Sequence, residues 1–217
     1  MGTVVALTGQ VGGAKLVDGL YRLRGKDLVA IVNTGDDYEH LTLHFSPDID
    51  TTLACEPAVA GFKYAGAEDA MLTQEVSDAL DSEDLEAVVI CPANPYHTIR
   101  PILEVPNMRE LLRKRGAPVI AVTPIVGGKA LKGSAGKIMA ELRHEASARR
   151  VALEYLKLID GFVMDSEDEA SANDVRASGI EVLVTNTVMR TPEDRTALAR
   201  SVLAFAQTLR ERRLQEA

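Results

Sequence analysis

The sequence predicts an α/β fold, a doubly wound and mainly parallel sheet with helices on both faces. Short runs rich in β-branched or apolar residues alternate with segments in which apolar residues recur at helical spacing. This alternation continues along the whole chain and is typical of parallel sheets. Because no internal repeat, low-complexity tract or linker interrupts it, residues 1–217 are predicted to form a single domain.

In the first half of the chain, the runs predict three strands and two helices. The strands are 3–7, 28–32 and 87–90, and the helices are 15–23 and 69–80. The first strand passes into its helix through a glycine-rich turn, and the third ends in a proline-rich one. These turns are where we look for functional residues, since ligands bind at the carboxyl edge of open α/β sheets.

The second half repeats the pattern. Its predicted strands are 118–122, 161–164 and 182–184, and its predicted helices are 108–115, 137–142, 148–158 and 169–177. A long terminal helix is predicted to begin at Thr191-Pro192-Glu193-Asp194, which combines an N-cap, a proline at the first helical position and an acidic first turn.

Composition narrows the classes of protein. Hydrophobic residues make up 46% of the chain and charged residues 26%, which suits a soluble protein with one good core. The net charge of −8 argues against a broad nucleic-acid-binding face, so an anionic substrate needs a local positive pocket or a metal ion. No apolar run reaches the roughly 18 residues of a membrane span, and we expect a cytoplasmic protein without membrane contact. Cys55 and Cys91 are predicted to be small buried hydrophobes.

The loop after the first strand, Gly9-Gln10-Val11-Gly12-Gly13-Ala14-Lys15, is a candidate anion site. It is not a Walker A loop, because its spacing differs and Leu16 follows the lysine. Glycines at a helix N-terminus still allow backbone N–H groups to face a phosphate. A tight turn that only packs the helix on the sheet is the alternative.

Two acidic segments follow the second strand. Asn33-Thr34-Gly35-Asp36-Asp37 comes directly after it, and Ser46-Pro47-Asp48-Ile49-Asp50-Thr51 follows a few residues later. Carboxylates crowded at a strand end are costly unless a cation or hydrogen-bond donors neutralise them. Together they predict Mg²⁺ held by one or two carboxylates and substrate phosphate oxygens. Turn and helix capping by the same residues is the alternative.

Two later loops carry further candidates. Prolines fix the turn around Asn94, whose side-chain amide is then able to read a base or ribose. The segment 123–133 holds Gly127, Gly128 and Lys132, a composition that suits phosphate binding or, alternatively, a flexible loop with solvated lysines.

Taken in order, these segments resemble the 2-phospho-L-lactate transferase family, known as CofD, of coenzyme F-420 biosynthesis. The matching stretches are 8–16, 32–37, 46–51, 92–95 with 99–103, 124–133 and 158–163. The resemblance implies a Rossmann-like fold. It also implies a magnesium-dependent phosphotransferase that moves a phospholactyl or phosphoenolpyruvyl group from a GDP-linked donor to a hydroxyl of the deazaflavin Fo, releasing GMP.

The resemblance assigns roles to the candidate residues. Mg²⁺ would be held by Asp36, with Asp37 or Asp48, and Asp50 would bind the acceptor and orient or deprotonate its hydroxyl. The predicted nucleotide- and phosphate-binding residues are Gly9, Gly12, Gly13, Lys15, Asn33, Asn94, Gly127, Gly128 and Lys132.

The chain also departs from the family pattern. Family members are usually longer, and here residues 51–57 lead almost directly to 62–67, without the helical insert and the Leu-Gly-Asp segment that helps to bind Fo. Gln10 and Val11 vary the first loop but keep its glycines. The alternative function is therefore a non-catalytic nucleotide or nucleotide-sugar binding regulator, like the related gluconeogenesis-factor branch. A homodimer that covers the edge left by the insert is a further expectation.

Overall fold

The computed structural model describes residues 2–41, 43–55, 63–65, 74–114, 116–130 and 135–216. In chain order its strands and helices are β1 (Thr3–Thr8), α1 (Gln10–Arg24), β2 (Leu28–Asn33), β3 (Tyr38–His40), β4 (Leu43–Phe45), α2 (Pro47–Cys55), β5 (Lys63–Ala65), α3 (Gln74–Asp81), β6 (Leu85–Ile90), α4 (Arg100–Glu104), α5 (Met108–Lys114), β7 (Val119–Val122), β8 (Ile125–Val126), β9 (Lys129–Ala130), α6 (Ala135–Glu141), α7 (Ala148–Glu154), β10 (Gly161–Asp165), α8 (Ala172–Arg176), β11 (Glu181–Thr185) and α9 (Pro192–Glu216). A π-helical turn, Pro95–Ile99, precedes α4, and a 3-10 segment, Ser166–Ser171, precedes α8.

The central sheet has seven strands in the order β11-β10-β7-β6-β1-β2-β5, and all of its pairings are parallel. The chain winds outward from β1 in one direction through β2 and β5, then returns to β6 on the other side of β1 and winds the opposite way. This is the Rossmann-type arrangement, and the predicted fold class is confirmed. The winding reverses between β1 and β6, where such sheets bind their ligands.

Helices cover both faces of the sheet. Alternate residues of β1 point to opposite sides, with Val5 and Leu7 in one buried cluster and Val4 and Ala6 in the other. The first cluster includes residues of α3, α4, α5, α6, α7 and α8, and the second includes residues of α1 and α9. Among the described residues, no helix is long and apolar enough to cross a membrane.

Helices α1 and α9 pack closely and are joined by a buried ion pair. A Cβ atom on Gly19 would lie 2.2 Å from the carbonyl oxygen of Arg195, so only glycine allows this approach. Asp18 is fully buried and accepts from Arg22 at 2.7 Å and from Arg195 at 2.8 Å. The pair between Asp18 and Arg195 holds α1 against α9, and α1 begins at the glycine loop.

Most predicted elements are confirmed, with differences at their ends. The short elements β3, β4, β5, α4, β8 and β9 were not predicted. Helix α1 begins at Gln10, five residues before the predicted start at residue 15, because its first turn is glycine-rich rather than apolar. Helix α7 ends at Glu154 and continues as turns. The predicted helix 169–177 is divided between the 3-10 segment and α8. Residues 69–73 of the second predicted helix lie outside the described residues.

Candidate functional site

A cleft of about 530 Å³ lies at the carboxyl ends of β1, β6, β7 and β11, beside the point where the winding reverses. Its lining residues are Gln10, Val11, Gly12, Lys15, Asp48, Thr51, Pro92, Asn94, Thr123, Pro124, Ala135, Thr187, Val188, Met189 and Arg190. The predicted site residues Gly12, Lys15, Asp48 and Asn94 are therefore brought together.

The glycine loop supplies the start of α1 to this cleft. A Cβ on Gly12 would lie 2.3 Å from the Pro92 carbonyl oxygen, and one on Gly13 would lie 2.4 Å from the Thr8 hydroxyl. These glycines thus let α1 approach the loop after β6 and strand β1 closely. This is the packing role that the sequence offered as the alternative to anion binding. The first turn of α1 lines the cleft, and a helix N-terminus favours an anion there.

Asp48 links three loops of the site. It is 4% exposed and accepts from the Gln10 N–H at 2.8 Å through Oδ1 and from Asn33 Nδ2 at 3.0 Å through Oδ2. Asn33 in turn accepts from the Gly35 N–H at 2.9 Å. Hydrogen-bond donors of the chain itself therefore stabilise the Asp48 carboxylate, and its role as a metal ligand stays a prediction. Its evident role is to position the glycine loop and the end of β2.

Asn94 connects the glycine loop to the loop after β6. Its N–H donates to Gln10 Oε1 at 3.2 Å, and its side-chain oxygen accepts from the backbone of Tyr96 and His97. The side-chain oxygen thus caps the π-helical turn. Contact between the Asn94 amide and a nucleoside stays a prediction.

Asp36 and Asp37 lie beside this network rather than in the cleft lining. Burial raises the pKa of Asp36, the Asp48 and Asp37 charges raise it further, and His97 opposes these effects. Asp37 accepts from the Ser46 hydroxyl at 2.8 Å. Within the described residues, no three His, Cys, Asp or Glu side chains converge as a ready-made metal site. A bound cation would need ligand oxygens in addition to these carboxylates.

The remaining predicted residues are less central. Gly127 and Gly128, with φ of 57° and 72°, form the two-residue turn between β8 and β9, for which left-handed glycines are favoured. The Gly127 N–H donates to Asp168 at 3.0 Å, so acidic residues adjoin this turn. Asp50 is exposed on the first turn of α2. Lys132 lies outside the described residues.

Cys91 is buried at the end of β6. Burial raises the pKa of its thiol to about 12, and the Thr8 hydroxyl opposes part of that shift. A thiol held protonated in this way is not a nucleophile at neutral pH, so the predicted role of Cys91 as a buried hydrophobe is confirmed. The side chain of Cys55 lies outside the described residues.

Sequence reasoning missed the wall of the cleft formed by Thr187, Met189 and Arg190. The sequence feature that could have pointed to this wall was Asp165, a carboxylate at the end of a buried strand. Asp165 is 4% exposed and accepts from the N–H and the hydroxyl of Thr187 at 2.7 and 2.9 Å.

Comparisons with known proteins identify the family to which the chain belongs. A family model described as 2-phospho-L-lactate transferase CofD matches residues 54–202. The chain belongs to the CofD family. The matched range includes the loops after β6, β7 and β11. It begins after the glycine loop and the acidic segments, whose assignment to the family pattern rests on the sequence resemblance alone.

Curated CofD relatives are similar to this chain over most of its length. A 2-phospho-L-lactate transferase of Methanococcoides burtonii is 35% identical over 69% of this chain and 47% of its own length. A phosphoenolpyruvate transferase of Kitasatospora aureofaciens is 36% identical over 67% of this chain and 45% of its own length. The matched part of the chain thus spans about half the length of these relatives.

Solved structures with the same fold include a member of the UPF0052 family from Bacillus halodurans. It superposes with a TM-score of 0.63 over 93% of this chain and 98% of its own, at 13% identity. At that identity the likeness establishes the fold alone.

Proposed function

We propose that this CofD-family chain binds a GDP-linked phospholactate or phosphoenolpyruvate donor, in which the phosphate of the acid is also the outer phosphate of the GDP moiety. It transfers the phosphorylated acid to a hydroxyl of the deazaflavin Fo and releases GMP. The observation that carries the proposal is the match of residues 54–202 to CofD, which covers three of the loops around the cleft. The curated relatives are named for both acids, so both are carried into the test.

The cleft suits the donor half of this reaction. The first turn of α1 would bind the diphosphate through its N–H groups, in a position maintained by Asp48 and Asn94. The acceptor oxygen forms a bond to the phosphorus of the transferred group while the bond to the bridging oxygen breaks, and its electron pair leaves with GMP. Asp50, exposed near the cleft residue Thr51, is proposed to accept the hydroxyl proton.

The acidic residues near β2 fit a magnesium ion that the donor brings with it. Asp36 is half-buried beside two other carboxylates, whose repulsion a divalent cation would relieve. Asp36 would hold the ion, with Asp37 as its neighbour, because Asp48 already accepts two hydrogen bonds from the chain. Bound there, magnesium would neutralise charge that develops on the phosphate of the leaving GMP.

A non-catalytic nucleotide-binding regulator is the second candidate. It is favoured by the observation that the chain matches only 47% of the length of the Methanococcoides burtonii transferase. Both candidates predict GDP binding at the cleft, but only the first predicts turnover.

Turnover separates the two candidates. The protein is incubated with Mg²⁺, Fo and either GDP-linked phospholactate or its phosphoenolpyruvate analogue, and GMP is quantified by chromatography. We expect GMP to appear only when donor and acceptor are both present. Tight GDP binding without GMP release would contradict the transferase and support the regulator.

A further inference from the structure

The loop between β11 and α9, which lines one wall of the cleft, is held at both of its ends. On one side, Asp165 accepts two hydrogen bonds from Thr187. On the other, Asp194 of α9 accepts from the N–H groups of Arg190 and Thr191, both at 2.9 Å. These backbone bonds lower the pKa of Asp194, so the fastening persists at neutral pH.

Lys15 provides a third attachment, from across the cleft. Its ammonium donates to the Met189 carbonyl oxygen at 2.6 Å. The backbone on the N-terminal side of Arg190 is therefore tied to α1, and the position from which the Arg190 side chain extends is well defined. A residue held in this way loses less conformational freedom when it binds a ligand.

The charges of the cleft lining single out Arg190. Among the residues that the structure describes, the charged ones in the lining are Lys15, Asp48 and Arg190. Asp48 accepts from Gln10 and Asn33, and Lys15 donates to Met189. Within the described parts of the chain, the guanidinium of Arg190 has neither a hydrogen bond nor an ion pair. Asp194 is the acidic group within its electrostatic reach, and its Oδ2 already accepts from two backbone N–H groups.

We infer that Arg190 binds an oxyanion of the donor beyond its nucleoside, either the terminal phosphate or the carboxylate of the transferred acid. A guanidinium presents parallel N–H groups that match either oxyanion in a bidentate contact. Because the net charge of the chain is −8, an anionic ligand needs local positive charge, which this guanidinium supplies. Only the identity of the donor rests on the proposed function, and the binding of an oxyanion by Arg190 does not depend on it.

Three variants test this inference. Arg190→Gln removes the charge, Arg190→Lys keeps the charge without the fork, and Arg113→Gln removes an exposed arginine of α5 that lies outside the cleft lining. Each is titrated calorimetrically at fixed salt and Mg²⁺ with inorganic pyrophosphate, GMP, GDP and the GDP-linked phospholactate donor.

We expect Arg190→Gln to weaken binding of the GDP-linked donor about tenfold or more, because one charge-assisted contact is lost. Arg190→Lys should recover part of that affinity. Arg113→Gln should match the wild type. Weaker binding of both pyrophosphate and GDP identifies the phosphate as the partner. A loss confined to the complete donor identifies the carboxylate.

The outcomes distinguish this inference from the proposed function. If the wild type binds GDP or the donor and Arg190→Gln binds every ligand equally well, the inference is wrong and the function stands. If the wild type binds pyrophosphate through Arg190 but neither GDP nor the donor, the inference stands and the proposed donor is wrong. A wild type that binds none of the ligands overturns both.

Discussion

At the scale of single residues, Asp48 joins separate parts of the site. It is a buried carboxylate that links the glycine loop to the end of β2, and its role as a metal ligand stays a prediction. A carboxylate can accept from both neighbours at once because each of its oxygens is an acceptor. The geometry of the cleft therefore depends on Asp48, whether or not this residue binds a metal ion.

Asp48→Asn should disrupt this arrangement. The new NH₂ group would face either the Gln10 N–H or the Asn33 amide, and rotating Asn33 would remove the acceptor of the Gly35 N–H. We expect the free energy of unfolding to fall by about 1–3 kcal/mol and GDP affinity to fall with it. Urea unfolding and calorimetry measure the two effects. The exposed neighbour Asp50 supplies the control, Asp50→Asn, whose stability should be unchanged, and equal stability of the two variants would contradict the assigned role.

Asp36→Asn tests the proposed magnesium site. We expect GDP affinity in Mg²⁺ to fall about tenfold, and GDP affinity in EDTA to stay the same or rise, because a like charge is removed. Since the Asp36 pKa is raised, protons should compete with magnesium at a higher pH than they would at an ordinary aspartate. Glu39→Gln, an exposed change on β3, serves as the control. A Mg²⁺ dependence that survives Asp36→Asn would exclude this residue as a ligand.

At the scale of elements, α1 is the part that positions the site. Its first turn lines the cleft, and its middle is held against α9 by the buried Asp18 and its two arginines. The start of α1 was predicted too late because glycines carry no apolar periodicity. Strands β8 and β9 were missed because two-residue strands carry no periodic signal, although Gly127-Gly128 was a hairpin signal.

Asp18→Asn should destabilise the protein by about 3 kcal/mol, because removing one member of a buried ion pair leaves its partners without a counter-charge. Arg212→Gln breaks the exposed pair with Glu181, whose side chains are 56% and 55% exposed, and should cost less than about 1 kcal/mol. Urea denaturation of both variants gives the comparison. Similar losses in the two would argue that the buried pair does not hold α1 to α9.

At the scale of the whole molecule, the sequence was sufficient for the fold class and for the loops after β1, β6 and β7 that meet at the cleft, but not for the loop after β11. Strand runs and glycine turns are local signals, and parallel strands bring their carboxyl ends to one edge. Asp48 and Arg190 could not be assigned in this way, because their roles depend on tertiary contacts. Gln10 and Asn33 lie 38 and 15 residues from Asp48 along the chain, and Arg190 reaches the cleft only because β11 and α9 pack as they do.

The central claim is that the nucleotide-linked donor binds where the first turn of α1 meets the loop after β6. Gly12→Ala tests it, because the added Cβ would lie 2.3 Å from the Pro92 carbonyl oxygen. Gly116→Ala is the matched control, since a Cβ there meets nothing within 4 Å. Calorimetric titration with GDP and Mg²⁺, on variants whose folding is verified by circular dichroism, should show lost binding in Gly12→Ala and wild-type binding in Gly116→Ala. Wild-type GDP affinity in a folded Gly12→Ala protein would contradict the account.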